Sequence, residues 1–192
     1  MLQIVIVIAD QMHSGKSTIA KHLEAKYGFE RFALAYTIKE MTVALLLECG
    51  YSHKDAIDRC FGDKKELPIE ILSTPQNPIT ARRVLQYTGT EYRDALFDPE
   101  VWLRILENKA KDKNKICIDD VRYVHEIEFF QKQGHEVKVI RVIRPDLSPL
   151  DFSLQHASEG GLVGFAADAT LVNDDTIENL QQKVDREMEK FF

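Results

Sequence analysis

The sequence is short of several things that would announce a specialised protein. Its three cysteines, Cys49, Cys60 and Cys117, form no C-x-x-C pair and leave one thiol over. That excludes a disulfide framework and points to ordinary packing thiols in a reducing compartment. Positive charge is not in surplus: 25 Lys and Arg stand against 31 Asp and Glu, for a net charge of -6. No global basic field therefore advertises a nucleic acid polymer or an anionic membrane as partner. An anionic ligand has to be held by local clusters of Lys and Arg. The apolar opening stretch "MLQIVIVIA" is far shorter than the ~20 residues that span a bilayer and has no basic residues ahead of it. It reads as a buried strand. Lipidation motifs, repeats and low-complexity segments are absent too, and the cytoplasm is the expected location.

What is present is the make-up of an ordinary globular domain, 44% apolar and 29% charged. A chain of 192 residues fills one domain, taken here as 1–192. Short continuous apolar runs mark strands buried on both faces: residues 3–8, 115–119 and 136–143, with weaker candidates at 31–35 and 168–173. Between them, residues 15–27 put Ile19, Ala20, Leu23 and Tyr27 at helical spacing. Further helices are expected at 37–49 (stopping at Gly50), 53–60, 79–96, 99–112, 122–133 and 175–190. Strands alternating with helices imply a parallel sheet in a layered α/β domain. Two stretches break the rhythm. Residues 61–78 are broken by Gly62, Pro68, Pro75 and Pro78, and 144–167 run through "RPDLSP" and "SEGGLVGFA". A connection as long as the second suits a lid.

The stretch "DQMHSGKS", residues 10–17, is the phosphate-binding pattern G-x-x-x-x-G-K-[ST] with Asp10 in place of the first glycine. A strand before it and a helix after it supply the context that motif needs. Backbone N–H groups of residues 13–17 and the helix N-terminus form an anion cradle. In that arrangement Lys16 reaches the β- and γ-phosphates, and the Ser17 hydroxyl ligates Mg²⁺. Asp10 lies on the entry side. Its carboxylate can cap nearby loop amides or turn toward the Mg²⁺ shell, and the cap is the expected role.

"KICIDDVR" is a hydrophobic strand ending in Asp119 and Asp120, then Arg122. Side chains alternate in direction, so one of the two acids faces the strand-end site. Alternatively both are turn residues ahead of the next helix. Arg122 is placed to clamp a phosphate. In the segment 80–102, Arg82, Gln86 and Arg93 fall at spacings of four and seven, and Arg83 and Gln86 at three, so several share a helical face. A solvated charged face would look the same. Trp102 reads as a core anchor. Arg141 and Arg144 stand near the exit of the fourth strand, at the foot of the long connection, where phosphoryl transfer calls for fixed cations. His156 reads as structural, with a polar lid contact as the alternative.

Taken in order, these pieces resemble the phage-type deoxynucleoside monophosphate kinases, within the adenylate-kinase-like P-loop kinases. "FALAYTIKEM" is similar to that family's F-A-x-x-x-K-E segment, and "RRVLQYTGTEYRD" to its R-x-L-Q-x-x-G-T-E-x-x-R block. "IDDVRYVHEIEFF" matches D-V-R-[FY]-x-x-E with Asp120 as the motif aspartate, and "RVIRP", "HASE" and "LVNDDT" resemble later signatures. The resemblance implies a P-loop α/β/α sandwich with five parallel strands in the order 2-3-1-4-5. It also implies an acceptor-binding region at about 37–98 and a lid at about 144–167. The implied reaction moves the ATP γ-phosphate to a deoxynucleoside monophosphate with Mg²⁺. His13, Ser14, Gly15, Lys16, Ser17 and Thr18 would hold the donor, with Ser17 and Asp120 at the metal. Lys39, Arg83, Gln86, Arg93, Asp120 and Arg122 would hold the acceptor, and Lys16, Arg122 and Arg144 would be the catalytic cations. A homodimer and, for a phage-encoded chain, the host cytoplasm go with the same resemblance. The rival readings are a kinase of another small substrate, such as dephospho-coenzyme A, and a nucleotide-binding regulator without catalysis.

Overall fold

The computed structural model of the chain describes residues 1–9, 11, 13–145, 161–162 and 164–192. In chain order the elements are β1 (Gln3–Ile8), α1 (Lys16–Tyr27), β2 (Glu30–Phe32), α2 (Ala35–Glu48), α3 (His53–Cys60), α4 (Ala81–Tyr87), α5 (Arg93–Leu96) and α6 (Val101–Lys109). They continue with β3 (Lys115–Ile118), α7 (Val124–Lys132), β4 (Glu136–Ile143), β5 (Ala169–Val172) and α8 (Ile177–Phe191). Among the described residues no helix is long and apolar enough to cross a membrane. The chain divides into two compact units, Met1–Ala33 with Leu106–Phe192, and Leu34–Ile105.

The first unit is built on a five-stranded sheet in the order β2-β3-β1-β4-β5, with every pairing parallel. β1 lies in the middle, and Ile4 to Ile8 are fully buried. Its run of β-branched residues suits a strand covered on both faces. Val5 and Val7 pack with Ile19 and Leu23 of α1, Cys117 of β3, Ile140 of β4, and Leu180, Val184 and Met188 of α8. Each large side chain removed from water there contributes about 1.5–3 kcal/mol. At the rim of the α1–α8 contact, Asp185 accepts hydrogen bonds from Lys26 Nζ at 2.7 Å and Tyr27 OH at 2.8 Å, and its Oδ1 is 2.7 Å from His22 Nε2. Because the strands are parallel, their C-terminal ends share one edge, where such sheets bind ligands. The phosphate loop, Asp119 and Arg144 all leave the sheet at that edge.

The second unit has its own core: Val43 and Leu46 of α2, Ala56 and Cys60 of α3, and Ile69. Ser52 caps α3 by accepting from the Asp55 N–H at 3.1 Å, and Thr80 caps α4 by accepting from the Arg83 N–H at 3.2 Å. The proline-rich stretch 61–78 contains two short 3₁₀ turns, Asp63–Glu66 and Glu70–Leu72. Isolated bridges Pro68–Thr80 and Thr74–Asn77 tie it down.

Several boundaries differ from expectation by a few residues, three of them for a clear local reason. The strand expected at 31–35 ends at Phe32, because α2 takes in Ala35. The helix expected from 122 begins at Val124, because the Glu126 carboxylate accepts from the Arg122 and Tyr123 N–H groups at 2.6 and 3.0 Å. The single helix expected at 79–96 is interrupted by a π turn over Thr88–Tyr92 between α4 and α5. Of the expected lid, residues 146–160 and 163 lie outside the described residues.

Candidate active site

The phosphate loop leaves β1 and enters α1, and among its described residues two have positive φ, His13 at 60° and Gly15 at 115°. At Gly15 a side chain has no room: a Cβ there would lie 2.8 Å from Asn173 Nδ2 and 3.2 Å from Leu180 Cδ2. Asn173, just past β5, donates from that Nδ2 to the Ser14 carbonyl at 2.8 Å. Ser14 is buried and its hydroxyl donates to the Gln11 carbonyl at 3.0 Å. These bonds engage the Gln11 and Ser14 carbonyls of the loop. α1 begins without a side-chain cap and without an acid of its own in the first turn, at the end of the helix dipole that favours an anion. His13, Ser14, Gly15, Lys16, Ser17, Thr18 and Arg144 together line a cleft of about 370 Å³. Arg144 Nη1 donates to the His13 carbonyl at 3.3 Å, which holds the guanidinium at the cleft mouth.

Next to the loop stands a buried acid. Asp119 is only 7% exposed, and the Ser17 hydroxyl donates to its Oδ2 at 3.3 Å. Asp120, expected beside the metal, is more exposed; the carboxylate on Ser17 belongs to Asp119. Arg31 of β2 donates from Nη2 to Asp119 Oδ2 at 2.6 Å and to Ser17 Oγ at 3.2 Å, and from Nε to Asp119 Oδ1 at 3.3 Å. Burial works against the Arg31 charge, but the Asp119 hydrogen bond and charge outweigh it and raise its pKa. Behind them the Cys117 thiol is pushed well up, first by burial and then by Asp119. That fits the packing role expected of the cysteines.

A hydroxyl and a carboxylate are the hard oxygen donors Mg²⁺ prefers, and Ser17 Oγ and Asp119 Oδ2 are 3.3 Å apart. Adjacent oxygens of a Mg²⁺ octahedron with ~2.1 Å bonds lie about 3 Å apart, so the pair suits that ion. Mg²⁺ usually takes one or two protein oxygens and leaves the rest to phosphate and water. Among the described residues no group of three or more His, Cys, Asp or Glu offers a fuller protein cage.

The other expected site residues fall as follows. Arg141 is buried, and its Nη2 donates to the Leu162 and Phe165 carbonyls at 2.8 and 3.0 Å. It braces the segment after the long connection, whereas Arg144 reaches the cleft. Arg122 is exposed and is not among the residues lining the cleft. Within the second unit, Lys39 lies over the Phe61 ring at 5.0 Å, and Arg83 donates to Asn77 Oδ1 at 2.5 Å. Gln86 is half-buried. Arg93 is buried, with its Nε donating to Asp94 Oδ1 at 2.7 Å, whereas Arg82 and Arg83 are exposed. The π turn explains the contrast: its wider turn carries Arg93 off the face that uninterrupted helical spacing assigns it. Trp102 is buried, as expected of a core anchor. Asp10 and His156 lie outside the described residues.

Sequence reasoning missed Arg31 and Asn173 as individual site residues. Arg31 sits in a weak strand, and its partner is 88 positions away; Asn173 appeared only inside a resemblance motif.

Residues 49–184 match the family model described as deoxynucleotide monophosphate kinase. The chain is 28% identical over 158 residues to the deoxynucleotide monophosphate kinase of Escherichia phage RB69, an alignment covering 78% of this chain and 59% of that protein. It is 33% identical over 112 residues to the deoxynucleoside-5'-monophosphate kinase of Escherichia phage T5, covering 55% and 44%. The chain thus spans about half the length of the curated relatives it matches. Among solved structures, dephospho-CoA kinase from Campylobacter jejuni superposes with a TM-score of 0.51 at 16% identity, covering 98% of this chain and 97% of that one. At that identity the likeness is one of fold.

Proposed function

The chain belongs to the deoxynucleotide monophosphate kinase family, and from that premise we propose that it transfers the ATP γ-phosphate to a deoxynucleoside monophosphate, giving dNDP and ADP. One observation supports this most: six consecutive residues, His13 to Thr18, line a single cleft with Arg144 across from them. Such a cradle takes a polyphosphate end-on, with backbone N–H groups and a helix terminus supplying fixed positive potential.

Lys16 neutralises charge on the β- and γ-phosphates, and Arg144 meets charge spreading over the transferring group. Ser17 and Asp119 are the residues that would hold Mg²⁺, which would supply charge neutralisation to the donor phosphates. Lys39, Arg83, Gln86, Arg93, Asp120 and Arg122 are assigned to the acceptor on the strength of the family motifs. The acceptor phosphate has its second pKa at about 6, so its attacking oxygen is already largely ionised at neutral pH. The reaction then needs positioning and charge neutralisation more than a general base. Work in the cytoplasm of an infected cell belongs to the same reading, as its relatives are phage proteins.

The test is acceptor-dependent ADP release from Mg-ATP with each of the four common dNMPs, the matching NMPs and dephospho-coenzyme A. Acceleration by a dNMP is expected. ADP release that no dNMP accelerates refutes the proposal, and acceleration by dephospho-coenzyme A alone replaces the substrate. Lys16→Ala should lower turnover by orders of magnitude with an unchanged circular dichroism spectrum.

A further inference from the structure

The Arg31 contacts carry a consequence for the donor site. Ser17 Oγ, Asp119 Oδ2 and Arg31 Nη2 form a triangle with sides of 3.3, 2.6 and 3.2 Å. The guanidinium N–H groups point at the same two oxygens a divalent cation would bind. A metal at ~2.1 Å from each oxygen would compete with the guanidinium for the lone pairs on that side and be repelled by its charge, so the two cations oppose each other there. Arg31 is nevertheless built to move. Its side chain is 35% exposed, against 6% for Asp119, and it projects from the short strand β2 at the edge of the sheet. It also holds Asp119 by two prongs, so Nη2 can leave Ser17 while Nε keeps its bond to Oδ1.

Accordingly, we propose that Arg31 is the resident cation of the metal position: it holds Ser17 and Asp119 together in the metal-free protein and yields the Ser17 hydroxyl to Mg²⁺ as nucleotide binds. This rests on the kinase reading of the cleft and adds a residue that none of the family motifs includes. Burying an acid without a partner is costly, and the exchange leaves Asp119 paired at every stage. The same competition makes Arg31 the residue that sets how much Mg²⁺ nucleotide binding requires.

The experiment is calorimetric titration of the full chain with ADP at Mg²⁺ concentrations from micromolar to millimolar, and in EDTA. Wild type, Arg31→Gln, Arg31→Lys and Arg31→Gln with Asp119→Asn are compared. In R31Q the Mg²⁺ concentration giving the half-maximal gain in ADP affinity should fall at least about tenfold, equivalent to about 1.4 kcal/mol. Affinity in EDTA should not rise. R31K keeps a charge on Asp119, and hence the fold, but loses the two-pronged geometry; it should shift the same way by a smaller factor. The gain should vanish in the double variant. A merely structural Arg31 would lower thermal stability and leave the Mg²⁺ midpoint in place. A midpoint unchanged or raised in R31Q and R31K, or a gain that persists without Asp119, overturns the inference while leaving the kinase reading intact. Failure of every form to bind ADP at any Mg²⁺ concentration overturns both.

Discussion

Replacing Asp185 with Asn tests how the two helices flanking the phosphate loop's own strand are held together. In the folded protein burial alone would raise the Asp185 pKa, but hydrogen bonds from Lys26, His22 and Tyr27 outweigh it and bring it from the ordinary 3.8 down to about 2. At 1.36 kcal/mol per pH unit, that depression corresponds to about 2.4 kcal/mol. The Asp185 side chain is 22% exposed and that of Lys26 51%, so water screens part of the effect and about 1–2 kcal/mol is expected. The sign follows from which state binds protons more readily. A depressed carboxylate stabilises the fold above its unfolded pKa, and that stabilisation is lost as the pH falls from about 4 through 2. The urea-unfolding free energies of wild type and D185N should therefore differ by about 1–2 kcal/mol at pH 7, with the gap closing between pH 4 and 2 as the wild-type acid protonates. On the alkaline side, burial and then Asp185 push the Tyr27 hydroxyl up to about 12. Its contribution is present below its unfolded pKa near 10 and is lost as the pH rises from there toward 12. A gap that stays constant down to pH 2, or no gap at pH 7, refutes the reasoning.

Two further outcomes follow from the loop and its surroundings. Gly15→Ala places a Cβ against Asn173 at a φ of 115°; strain and loss of the Ser14–Asn173 bond together should cost about 2–4 kcal/mol in urea unfolding. ADP affinity should fall with it, and wild-type ADP binding by this variant would show that the loop geometry is not what holds phosphate. Arg141→Met removes a buried guanidinium from two carbonyls and should destabilise by about 2–3 kcal/mol, while ADP affinity changes less than twofold. A large loss of affinity would place Arg141 at the cleft instead of behind it.

The parts of the fold that could be read in the sequence are those written in short-range pattern. β4 and α3 have the boundaries their patterns imply, because an apolar run and a Ser52-capped helix are local features. The Gly-Lys-Ser loop was legible for the same reason. The strand order 2-3-1-4-5 came with the family resemblance, since no local rule says which parallel strands become neighbours. Residues whose meaning depends on distant partners stayed hidden. Alternation says that one of Asp119 and Asp120 turns inward, but only Ser17, 102 positions earlier, decides which. Arg31 needs Asp119 to acquire a role. Counting 3.6 residues per turn put Arg93 with Arg82 and Gln86, and the π turn at Thr88–Tyr92 breaks that count.

The bond from Asn173 to the Ser14 carbonyl spans 159 positions of sequence. A chain made from its N-terminus carries the Gly-Lys-Ser triplet long before Asn173 is made. It cannot complete the cradle until β5 has joined β4 and brought Asn173 onto the loop. Until then the phosphate motif is present as letters but absent as a site. Nucleotide reaching a nascent chain then meets a finished pocket only after Asn173 has been made and placed, so ligand binding can stabilise the completed sheet and cannot template its beginning.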